Sequence, residues 1–204
     1  MSPPGELRLI GGALCLDYCN TIAWRTSPEP IDRLGDYHAL LAWSVHANTV
    51  SARHANALRA AARSRPSAAA AAYARAVTLR KHVSAVFGAI ASAALPQASD
   101  LDACRKAYAD ALLEGRLRLE LREATLEWPS AIALDRPLWP VADSAWQLLT
   151  STRLPRVGLC GGRGCGWLFL DETRNGSRRW CSDDDCGRRE RVRQHRARHQ
   201  RRSV

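Results

Sequence analysis

Lysine is almost missing from this chain of 204 residues, where Lys81 and Lys106 stand against twenty-eight arginines. Phenylalanine occurs twice and methionine once. No apolar run reaches the roughly eighteen residues needed to cross a bilayer, so a membrane-spanning helix is excluded. The opening Met1-Ser2-Pro3-Pro4-Gly5-Glu6 has neither a charged nor an apolar leader segment. No secretory signal is read there, and a cytoplasmic location is expected. The sequence offers no phosphate loop, no nucleophile–base pair and no metal motif with an open position, so no catalytic role is expected. It has no internal repeat.

What is present is concentrated at one end. Residues 151–204 hold fourteen arginines and six acids, a net +8, whereas residues 1–150 are close to neutral at +2. Four of the seven cysteines also lie there, as two pairs of equal spacing: Cys160-x4-Cys165 and, fifteen residues on, Cys181-x4-Cys186. Two such turns joined by a hairpin-sized spacer supply the four thiolates of a tetrahedral zinc site. In a reducing compartment paired cysteines more often hold metal than form disulfides. The segment from about 155 onwards offers only Trp167, Leu168, Phe169, Leu170 and Trp180 as core, too few to fold without a metal. The alternative is four buried free thiols, which the matched spacing disfavours. Four thiolates fill the tetrahedron, so the zinc is structural rather than catalytic. Cys15, Cys19 and Cys104 fall on helical patterns and read as buried, unreactive thiols.

Helical periodicity dominates residues 13–113. It predicts helices over 13–24, 36–46, 51–63 (stopped by Pro66) and 67–94, and one through Leu113 with Ser99 and Asp102 as a capping box. Alternation of Leu117, Leu119 and Leu121 with charged residues then predicts a half-exposed strand, paired with 124–128 in a small hairpin. A further helix is expected over 141–150. Between the cysteine pairs, Trp167–Asp171 and Arg178–Cys181 read as strands around the Asn175-Gly176 turn. On the first helix, Asp17, Asn20 and Thr21 are polar among apolar neighbours. They are candidates either to line a small-molecule pocket or to hydrogen-bond buried backbone.

After Cys186 the tail carries eight arginines in the last eighteen residues. As a helix it places Arg188, Arg191, His195, Arg198 and Arg202 on one face, with Arg189, Arg193 and Arg196 beside it. Such a helix does not pack on a core; it stays solvated or docks on a polyanion. Arg178 and Arg179 extend the same surface. His195 and His199, at helical spacing, add to the basic face.

The chain resembles a bacterial family, ABATE-domain proteins with a C-terminal CGNR zinc finger. The resemblance rests on Gly11-Gly12-Ala13-Leu14-Cys15-Leu16-Asp17-Tyr18-Cys19-Asn20-Thr21 at one end. At the other it rests on Leu168-Phe169-Leu170-Asp171, Ser177-Arg178-Arg179-Trp180-Cys181-Ser182 and Cys186-Gly187, with Leu138-Trp139-Pro140-Val141-Ala142 leading in. It implies a stress-linked transcription regulator and a DNA-binding finger. The family's Asn is replaced here by Arg188, and Asp183 stands where an apolar residue is usual.

The expected architecture is therefore mainly α with a small β-hairpin: a helical domain over 1–152 and a treble-clef-like zinc module over 153–204. The expected function is DNA-binding transcriptional regulation. Structural Zn2+ would be held by Cys160, Cys165, Cys181 and Cys186. Arg178, Arg179, Arg188, Arg189, Arg191 and Arg193 would contact double-stranded DNA. The helical domain would respond to a small-molecule effector or form a homodimer. The competing expectation is a zinc-dependent RNA- or protein-binding adaptor.

Overall fold

A computed structural model describes residues 3–129 and 132–202, with side chains to Gln200. Seven helices are described: α1 (Leu14–Cys19), α2 (Tyr37–His46), α3 (Ala52–Ser64), α4 (Pro66–Ala91), α5 (Ala98–Glu114), α6 (Trp139–Leu149) and α7 (Arg188–Arg202). Three antiparallel two-stranded sheets accompany them: β1 (Ile22–Ala23) with β2 (Ile31–Asp32), β3 (Arg116–Glu120) with β4 (Glu123–Glu127), and β5 (Val157–Leu159) with β6 (Leu168–Leu170). Among the described residues no helix is long and apolar enough to cross a membrane.

Local chemistry sets most helix limits. Asp36 caps α2 by accepting from the Ala39 amide, and Ser51 caps α3 by accepting from His54. Pro66, expected only to stop α3, also starts α4, where a missing N–H costs nothing. The expected capping box at Ser99 does not form; α5 begins at Ala98 without a side-chain cap.

The first helix is shorter than its periodicity predicts. It ends at Cys19 because the next two residues bond elsewhere: the Asn20 side chain to β6, and Thr21 Oγ1 back to the Tyr18 carbonyl at 2.7 Å. Buried Arg80 donates to Thr21 Oγ1 and Asp32, fixing the β1–β2 turn to α4. Tyr18 packs its ring at a tilt against Trp43 and donates to the Ala76 carbonyl, so α1 sits at the centre of the helical core.

Two corrections concern the strands. The β3–β4 hairpin is present, but it is exposed on both faces rather than half-buried: Leu117 and Leu119 are 65% and 74% exposed. In the C-terminal part, β6 does not pair with residues 178–181. It pairs with β5, with Leu159 opposite Leu168 and Val157 opposite Leu170. The first cysteine pair is therefore the loop of a β5–β6 hairpin.

That hairpin joins two cores. Val157, Leu168 and Leu170 belong to the helical core, whereas Phe169 points the other way, among the four cysteines, Ile10, Trp167 and Trp180. The expected boundary near residue 153 is thus bridged by shared packing, and the zinc module is not a separate bead.

Candidate metal centre and nucleic-acid interface

The metal site is built from two turns. In the β5–β6 loop, Cys160 N–H donates to the Trp167 carbonyl at 2.8 Å, and Cys165 N–H to the Gly162 carbonyl at 2.9 Å. Gly164 and Gly166 hold positive φ, 75° and 62°, which a side chain would strain. A Cβ on Gly162 would press on Cys186 Sγ at 3.0 Å, so the turn must be bare to receive the second pair.

The second pair spans a widened turn over Asp183–Gly187, closed by Gly187 N–H to the Ser182 carbonyl at 3.0 Å. A π-type turn of this kind is often found at functional sites. It delivers Cys186 directly to the start of α7. Gly187 is required there: a Cβ would lie 2.6 Å from Asp183 Oδ1 and 2.9 Å from the Trp180 ring.

All four cysteines are buried, and their sulfurs lie within 4.8 Å of one another. Cys165 to Cys181 measures 3.7 Å and Cys181 to Cys186 measures 3.6 Å. With Zn–S bonds of about 2.3 Å, a tetrahedron has edges of about 3.8 Å, so these separations fit. The crowding also sets the protonation order. Hydrogen bonds from the Cys165 and Cys181 thiols hold Cys160 well below the usual thiol range. In turn Cys160 pushes Cys165 up to about 12 and Cys181 higher still. A dication compensates the negative charge of thiolates crowded this closely. The donor set therefore fits structural zinc, which leaves no open coordination position.

Around the centre, the helical domain supplies its own contacts. Arg25 N–H donates to the Cys165 carbonyl at 3.0 Å. The Asn20 amide bonds both ways to Leu168, Nδ2 to its carbonyl at 2.8 Å and Oδ1 from its N–H at 2.9 Å. Asp17 Oδ1 accepts from Gly11 N–H at 2.7 Å. Of the two roles open to Asp17, Asn20 and Thr21, the structure shows the second: each is bonded to buried backbone. A groove large enough for a small molecule, about 740 Å³, lies instead between α4, α5 and α6, over Leu79, Ala107 and Trp139.

The arginines separate into two groups. Arg178 is turned inward, its guanidinium donating to the carbonyls of Ile10, Leu170, Trp180 and Cys181 and lying 4.5 Å from the Phe169 ring. Its amide donates to Asp171, whose carboxylate also accepts from Thr173. Burial opposes the ionised form of Asp171, but these bonds hold its pKa below the usual range. Arg178 is thus a brace of the module rather than a contact on its surface.

On α7, Arg189 donates to Cys186 Sγ at 3.0 Å, faces Asp185 and stacks on Trp24 at 4.6 Å. Arg191 pairs with Asp183 at 2.7 Å. Arg193 pairs with buried Glu190 at 2.6 Å. Arg188, Arg196 and Arg198 make no ion pair among the described residues, and the side chain of Arg202 lies outside them. Arg179 is exposed, its guanidinium 5.6 Å from the Trp180 ring. One shallow groove of about 600 Å³ runs along α7, lined by Arg188, Arg189, Val192, Arg193 and Arg196.

Sequence reasoning missed Glu190. An acid inside an arginine run carries no motif, yet it accepts from the Arg163 amide at 3.0 Å and so ties the first turn to α7. That bond, with the Arg193 pair, holds its pKa below the usual carboxylate value.

Taken together, these features define a helical domain whose core is completed by a C-terminal four-cysteine zinc finger. The ABATE family model, described as "Putative stress-induced transcription regulator", matches residues 12–152, and the CGNR zinc finger model matches residues 156–199. The chain belongs to the ABATE family and ends in a CGNR zinc finger. No match to this chain emerges among curated proteins.

Proposed function

We infer that the chain is a transcription regulator that binds duplex DNA through the arginine face of α7, with zinc fixing the direction of that helix. The observation carrying this reading is the stripe of Arg188, Arg189, Arg193 and Arg196 beside a shallow groove, at a helix anchored by Cys186. A row of cations held on one rigid side can neutralise successive phosphates, whereas a fraying tail would lose entropy on ordering. Arg188, in place of the family's Asn, adds one more cation to this row. Asp183 and Asp185 already engage Arg191 and Arg189, which limits their repulsion of phosphate. The α4–α5–α6 groove is the candidate entry point for a small-molecule signal.

The test is a binding titration of the zinc-loaded chain with duplex DNA, RNA and a protein control across a range of salt. With about four phosphates neutralised, log affinity for DNA should fall against log salt with a slope of about −3.6. Arg188→Ala and Arg196→Ala should each reduce that slope by about 1. A flat salt response, or binding indifferent to both changes, overturns the reading. Preference for RNA or protein over duplex DNA would favour the adaptor instead.

A further inference from the structure

The β3–β4 hairpin is left unexplained by the zinc centre and by the arginine face. Among the described residues its strands pair only with each other, and Leu117, Leu119 and Leu121 are 65%, 74% and 109% exposed. A lone two-stranded hairpin is marginal in water, and an exposed apolar row on it marks an interaction surface.

The register says what can cover it. Glu120 pairs with Glu123 across a two-residue turn, and Arg118 with Thr125. A two-residue turn closes on a hydrogen-bonded pair, so Arg116, Arg118 and Glu120 direct their backbone groups towards β4. Leu117 and Leu119 direct theirs outward, along the free edge of β3.

We propose that this edge joins a second copy of the chain, β3 against β3 in antiparallel register about a two-fold axis at Arg118. In that register Leu117 lies opposite Leu119 of the partner subunit, which is a hydrogen-bonding position for both. Arg116 lies opposite Glu120 of the partner subunit, and the symmetry repeats each pair. The two hairpins become one four-stranded sheet with a continuous leucine row. On the axis Arg118 faces Arg118 of the partner subunit, a single like-charge contact offset because each is already paired within its own hairpin to Glu120 and Glu127. The other edge behaves oppositely. Pairing β4 with itself about Thr125 would set Glu123 against Glu127, and like charges directly opposite are destabilising. Charge therefore selects β3 as the pairing edge, and the isologous contact closes at two copies.

The inference does not depend on DNA binding, and the test uses the zinc-loaded chain alone, by sedimentation equilibrium. The unaltered chain should dimerise. Arg116→Glu and Glu120→Arg should each weaken the dimer by about tenfold or more, since each places like charges opposite one another twice. An equimolar mixture of the two variants should regain the dimer, because both cross-pairs then join opposite charges. Circular dichroism and zinc content, unchanged in each variant, separate this loss from misfolding. A monomer at every concentration reached, dimers indifferent to the single changes, or a mixture that stays monomeric would each overturn the proposal.

Discussion

Two hairpins of this chain, β3–β4 and β5–β6, have similar size and opposite fates. Every residue of β6 is buried, one side against the helical core and the other against the cysteine cluster. Every residue of β3 is exposed. β3 alternates leucine with charged residues, whereas β6 is apolar throughout, and only β5–β6 has something on each face. A two-stranded sheet is fixed by what covers it, not by its own ladder. In β5–β6 the cover is partly inorganic, which is why five residues of local core suffice.

The strongest way to break that contrast is to remove the metal. Structural zinc supplies about 10–16 kcal/mol of apparent folding energy in small fingers, comparable with the entire stability of many domains. Chelation, or Cys181→Ser, should abolish zinc binding and hydrogen-exchange protection across β5–β6. Because Leu168 and Leu170 fill the helical core, and Asn20 bonds to Leu168, protection in α1 and α4 should fall as well. Full protection of those helices in metal-free protein would show the two cores to be independent.

A smaller perturbation sharpens the same comparison with one residue type. Leu168 is fully buried and Leu119 is 74% exposed. Leu168→Ala should cost about 3 kcal/mol through lost burial and the cavity left behind. Leu119→Ala should cost less than about 0.5 kcal/mol when measured at dilutions where the chain is monomeric. Urea midpoints of the two variants check this; equal losses would mean that β3–β4 is covered within one chain.

Both hairpins were legible as hairpins in the sequence only in part. The cysteine spacing identifies the metal site without help, because thiolate pairs at that separation have few other uses. The caps at Asp36 and Ser51 and the apolar stripe of α4 are local signals, and they form where local chemistry puts them. What stayed hidden is long-range. Nothing near Asn20 announces that its amide will complete β6, far along the chain, and so α1 is read too long. Nothing in Val157–Leu159 distinguishes it as the partner of β6, so Arg178–Cys181 is chosen for its turn signal. Arg178 looks like its neighbour Arg179, yet it faces inward because four carbonyls at the junction of the two cores need a donor. Composition gives the charge of a tail, but only geometry separates arginines already paired from those free to pair.

The junction between the cores also carries an effect smaller than the loss of Leu168, a dependence on pH. Burial raises the pKa of Asp17 from an ordinary 3.8 to about 6, against the Gly11 amide and the attraction of Arg178, which favour its charge. The folded chain therefore binds this proton more tightly than the unfolded chain. For this group, stability is fully present only below about pH 3.8 and is lost as pH rises from there through about 6. Asp17→Asn keeps an oxygen for the Gly11 amide but removes the charge. It should match the unaltered chain near the acidic end and exceed it at neutral pH by about 1 kcal/mol, less than the full pKa shift implies because the attraction to Arg178 is also lost. Urea unfolding of both chains across this window gives the difference directly, and zinc release by acid, common to both, cancels from it. Parallel curves would mean that Asp17 ionises as easily in the folded chain as in the unfolded one, and that the junction is wetter than its packing indicates.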